Sequence, residues 1–100
     1  MTDQQMSHLQ LGWKYYIQKD YSLAEVEFAK AVEQDPDNID SLYALGLVFK
    51  AENALDKARL TFNKVQELVI GMDDPVRSFM LQNLIKRHML DLDEVQKDVV

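Results

Sequence analysis

Apolar residues recur along this chain at the spacing of one helical face, i, i+3, i+4 and i+7, in runs parted by short polar stretches. Thr2 with Gln5 forms a capping-box pair ahead of the first run, so a first helix is predicted from near Asp3 to about Gln18. Ser22 with Glu25 repeats the device after the turn Lys19-Asp20-Tyr21 and opens a second helix. That helix stops at Asp35, because the residue before Pro36 avoids helical dihedrals. Asn38 caps a third helix reaching about Glu52, and the turn Asn53-Ala54 leads into a fourth that closes near Ile70, with Gly71 as a left-handed cap. Asp74 and Pro75 suit a helix start, and residues 76–90 are helical by period. Asp91 with Glu94 reads as a last capping box, for a short helix over residues 92–98.

The pattern repeats at an offset of 34 residues: residues 5–38 laid over 39–72 pair Ser7 with Ser41, Leu11 with Leu45, Gly12 with Gly46, Ala24 with Ala58 and Phe28 with Phe62. Gly inside a helix costs about 1 kcal/mol relative to Ala. Two glycines at the same place in two helices therefore point to packing: helix axes approach closely only where one side chain is nearly absent. Gly12 and Gly46 are read as holes, and Ala24 and Ala58 as the small surface on the second helix of each pair. Shifting Leu45-Gly46 by a further 34 lands on Phe79-Met80, so the fifth helix is read as a terminal element.

Written as spacings, the two copies are His8-x2-Leu11-Gly12-x2-Tyr15, Ala24-x3-Phe28, Pro36 and Leu42-x2-Leu45-Gly46-x2-Phe49, Ala58-x3-Phe62. This resembles the tetratricopeptide repeat. The resemblance implies an all-α, right-handed solenoid of antiparallel helix pairs, in a single domain over residues 1–100. Repeat one would span about 5–38, repeat two about 39–72, and terminal helices about 75–99.

Each first helix of a pair carries a second apolar stripe beside its packing stripe. In helix one it is Leu9, Trp13, Tyr16 and Ile17; in helix three Tyr43, Leu47 and Ala51; in helix five Leu81, Leu84 and Ile85, with Val76, Phe79 and Met80 as the packing stripe. In the resembled family these helices line a concave face. Leu9, Trp13, Tyr16, Ile17, Tyr43, Leu47 and Leu81 are accordingly the candidate partner-binding residues, Trp and Tyr being common anchors at binding hot spots. The family's carboxylate-clamp residues are missing: the matching positions hold Leu9, Trp13, Ala44, Asp74 and Ser78. An apolar groove rimmed by Asp37, Asp40, Asp73 and Asp74 would take an apolar or mildly basic peptide or helix, although those aspartates also suit helix starts. Alternatively, neighbouring helices or the tail cover the stripe, or the stripe or the apolar face of helix five joins copies of the chain.

Seventeen acidic against 11 basic residues leave a net charge of −6, which disfavours nucleic acid and anionic membranes as partners. There is no Cys, so Cys-based metal or disulfide chemistry is excluded. The N-terminal residues lack the basic start and apolar run of a secretion signal, and a cytoplasmic setting is expected. His8 reads as a core-edge histidine and His88, beside Lys86 and Arg87, as solvated; neither has a ligand partner at i+4. The expectation is a non-catalytic protein-interaction module without cofactor or metal.

Overall fold

The computed structural model describes the backbone of residues 6–98 and the side chains of residues 6–94. These residues form five helices and no strand: α1 (His8–Ile17), α2 (Tyr21–Gln34), α3 (Ile39–Ala51), α4 (Leu55–Ile70) and α5 (Pro75–Asp98). Each packs chiefly on its neighbours in sequence, α1 on α2, α2 on α3, α3 on α4 and α4 on α5, with a smaller contact between α1 and α3.

Several helix ends differ from expectation. α1 is opened by Ser7, whose Oγ accepts from Gln10 N while the Gln10 side chain accepts from Ser7 N, so Met6 and Ser7 lie outside the helix. The Thr2 and Gln5 pair falls outside the described residues. α2 is capped by Asp20, two residues ahead of Ser22, through Leu23 N at 3.3 Å. Asn38 caps α3 through Ser41 N at 2.9 Å, as the sequence predicts. Gly71 is not a left-handed cap: its φ is −85°.

The left-handed residues are Lys19 (φ 63°) and Asn53 (φ 62°), one repeat apart. Lys19 N donates to Tyr16 O and Asp20 N to Tyr15 O, and likewise Asn53 N to Lys50 O and Ala54 N to Phe49 O. This paired bonding closes both α1 and α3 by satisfying their last carbonyls. The 34-residue repeat is thus present in the backbone as well as in the sequence.

The glycine holes are where the spacing places them. A Cβ on Gly12 would overlap the Phe28 ring, and one on Gly46 would sit 2.7 Å from Phe62 Cε1. Phe28 and Phe62 are wholly buried, as are Ala24 and Ala58. One core cluster joins Ala24, Phe28, Ala44 and Val48 across α2 and α3; the other joins Leu42, Phe62, Val65, Val69, Ile85 and Leu92 across α3, α4 and α5.

α5 departs most from the reading. It runs unbroken through Asp91, with no separate helix at 92–98. Asp91 does not cap; it accepts from Lys50 Nζ at 2.9 Å, and Asp93 pairs with Arg59 at 2.9 Å. The two faces of α5 are also exchanged. Ile85 and Leu92 are buried, Ser78 Oγ donates to Val69 O at 2.8 Å, and Leu81 and Met89 pack on the second cluster. Val76, Phe79 and Met80 are exposed instead, because no helix among the described residues lies where their packing partner would stand.

Candidate interaction surface

Six of the seven candidate groove residues are drawn into the two cores. Leu9, Trp13 and Tyr16 pack on the first cluster, and Tyr43, Leu47 and Leu81 on the second. Ile17 alone is well exposed, at 78%. The Trp13 ring stands edge-on to Phe28 at 5.0 Å and to Tyr16 at 5.6 Å, and Tyr16 meets Tyr21 at 5.5 Å. Burial raises the Tyr16 hydroxyl's pKa, with the neighbouring Tyr21 adding to it. Burial likewise raises that of Tyr43, with Tyr16 adding a smaller push.

At the α3 end, α5 covers the stripe. His88 stacks on Phe62 with centroids 5.1 Å apart, Tyr43 stands edge-on to both rings, and Tyr43 Oη lies 2.9 Å from His88 Nε2. Lys50 Nζ lies 2.9 Å from Nδ1. An ammonium has no lone pair, so Nδ1 accepts; the ring's single proton sits on Nε2 and is donated to Tyr43. Burial, and then the Lys50 charge, lower the His88 pKa, with Asp91 opposing them. His88 is therefore a neutral, fully bonded latch between α3 and α5, not a solvated residue. Its partners lie 38 and 45 residues away, beyond any local spacing. His8, by contrast, is held at the core edge by Glu27 at 2.8 Å.

Of the aspartates proposed as a rim, Asp74 caps a helix and Asp40 and Asp37 pair with basic side chains. Asp74 Oδ1 accepts from Arg77 N, Asp40 pairs with the Arg77 guanidinium at 3.3 Å, and Asp37 lies 3.7 Å from Lys64.

Glu52 at the end of α3 meets Glu25 of α2. Glu52 Oε1 is buried, and two carboxylates cannot bond each other without sharing a proton. Burial, the hydrogen bond with Glu25 and its charge push the Glu52 carboxyl up to about 7, against the pull of Lys57. A folded pKa above the unfolded 4.5 contributes stability that is complete below 4.5 and lost as pH rises through about 7. His88 acts in the opposite sense, its contribution present above 6.5 and lost as pH falls. Glu52→Gln isolates the first: its melting temperature should fall less than the parent's between about pH 5 and pH 8. Parallel curves for the two proteins would show that no proton is shared.

A run of exposed apolar residues lies on α5. Val76, Phe79, Met80 and Leu84 are between 47 and 69% exposed. Met80, Asn83, Leu84 and Arg87 line an open depression of about 370 Å³ on it. Residues 75–90 contain Arg77, Lys86 and Arg87 and no carboxylate, in a chain of net charge −6. The sequence signal for this orientation is a seven-residue period, Ser78, Ile85 and Leu92, which marks the buried side.

No family model matches this chain, and no curated protein is similar to it. Among the described residues no helix is long and apolar enough to cross a membrane, and no group of three or more His, Cys, Asp and Glu side chains is set to hold a metal.

Proposed function

We propose that this chain is a non-catalytic protein-interaction module, a short right-handed solenoid of tetratricopeptide type, that binds an amphipathic helix. The observation that carries the reading is one of register. Val76 and Met80 stand 34 residues after Leu42 and Gly46, which pack α3 onto α4, and Phe79 stands 34 after Leu45, which packs on the first cluster, yet on α5 all three are exposed. A face patterned to receive the second helix of a hairpin is left without one among the described residues, and an exposed apolar patch of this kind commonly marks an interaction site. A docked helix lying antiparallel to α5 would complete a third hairpin.

A second reading places a peptide on the concave side at Trp13, Tyr16 and Ile17, supported by the high exposure of Ile17 beside half-buried aromatics. Capture experiments with the parent, Leu84→Glu and Ile17→Glu separate the two. Loss of the captured protein with Leu84→Glu alone supports the α5 face; loss with Ile17→Glu alone moves the site to the aromatic end. Capture that survives both substitutions overturns both assignments.

A further inference from the structure

The order of residues along α5 and the turn before it is self-complementary about Met80. Val76 and Leu84 lie four residues on either side of it, Asp74 and Lys86 six, and Asp73 and Arg87 seven. The apolar positions are thus placed symmetrically and the charges antisymmetrically, acidic before and basic after, except for Arg77, which is paired with Asp40 of its own chain. Laid antiparallel on a copy of itself, such a segment sets Val76 against Leu84 and brings Asp73 and Asp74 to the end that carries Lys86 and Arg87, twice over. A parallel arrangement would bring like charges together.

Resting on the helix-docking reading above, we propose that the helix received by α5 is α5 of a second copy, in a two-fold dimer with Met80 at the axis. An isologous contact of this sort requires a self-complementary patch, which this order provides. The depression lined by Met80, Asn83, Leu84 and Arg87 is the i, i+3, i+4, i+7 hole of helix packing. The antiparallel register delivers Val76 of the second copy into it. At a rise of about 1.5 Å per residue, Lys86 and Arg87 fall roughly 9–10 Å from the axis, flanking the apolar contact. Met80 where α1 and α3 have Gly excludes their close approach onto Phe, and a long flexible side chain suits a looser contact between two equal helices. Asp73, Lys86 and Arg87 are exposed, and Asp74, though it caps α5 with Oδ1, is exposed as well. A single helix pair buries less than the roughly 1,600 Å² of a standard interface, so the dimer should come apart on dilution through the micromolar range.

Sedimentation or light scattering of the full chain over a dilution series tests the proposal. The parent should pass from dimer to monomer, and Met80→Glu, which sets two carboxylates against each other at the axis, should raise the dissociation midpoint at least about tenfold. Asp73→Arg and Arg87→Asp should each raise it, and the double variant should return it towards the parent value. That recovery follows only if the copies pair antiparallel in this register. All three positions are exposed, and far-UV circular dichroism verifies that each variant folds. A parent monomeric at every concentration, a dimer indifferent to Met80→Glu, or a double variant without recovery overturns the proposal. A monomeric parent whose capture of another protein is abolished by Leu84→Glu removes the second copy as occupant and leaves the docking face standing.

Discussion

Phe62→Ala should destabilise this protein by about 3–5 kcal/mol, the range for truncating a buried aromatic. The ring has no exposed surface and fills the space that Gly46 vacates on α3. Its opposite face carries the His88 imidazole, nearly parallel at 5.1 Å, and its edge meets Tyr43 at 6.0 Å. Removing it opens a cavity and takes away the surface that seats the latch between α3 and α5. Phe28→Ala should cost a similar amount through Gly12 and Trp13, without touching that latch. Against a total stability of roughly 5–15 kcal/mol, either change should shift a urea melt far towards lower midpoints. A loss under about 1 kcal/mol for Phe62→Ala would mean that the helices collapse onto the vacated space.

Gly12→Leu and Gly46→Leu should each destabilise by about 1–3 kcal/mol through overpacking. Helix propensity works the other way, since any side chain in place of glycine gains up to about 1 kcal/mol. Geometry decides the sign: even the first carbon of a side chain meets a phenylalanine ring that is held on its other sides. Gly12 is the tighter of the two and should show the larger loss. Introducing Phe62→Leu into a Gly46→Ala background should recover part of the loss, as a coupling of about 0.5–3 kcal/mol between residues in contact. Additive losses in that pair, or a Gly46→Leu variant as stable as the parent, would show that the close approach is not what the glycine serves.

Most of the helical skeleton could be read from the chain because its determinants are local. Asn38 and Asp74 cap through residues three positions on, and the glycine-to-phenylalanine fit recurs at a fixed offset. α5 could not be read in the same way. Its buried side is chosen by what stands opposite: Val69, Tyr43 and Lys50 take up Ser78 and His88, while the face in register with the packing stripe of α3 meets nothing among the described residues. Asp91 looked like a cap because a carboxylate three residues before another acid suits a helix start, but its oxygen is claimed by Lys50 from 41 residues away. The candidate groove residues lie on α1, α3 and α5, yet the depth to which each one sinks depends on neighbours in the adjoining helix. Trp13 leans on Phe28 and Tyr43 lies under His88, and neither pairing has a signature in local spacing.

The two carboxylates at the end of α3 and the ion pair at the end of α5 occupy related places: Glu25 and Arg59 stand one repeat apart, the first facing Glu52 and the second facing Asp93. One seam of the stack is therefore strained by like charge once the shared proton is lost, while the next is drawn together. In a molecule whose helices lean mainly on their immediate neighbours, such an imbalance sets an order of opening. The α1–α2 hairpin should come away first, and more readily in alkaline solution, exposing its amides to solvent exchange while α3, α4 and α5 remain a protected unit closed by Arg59 and the His88 latch.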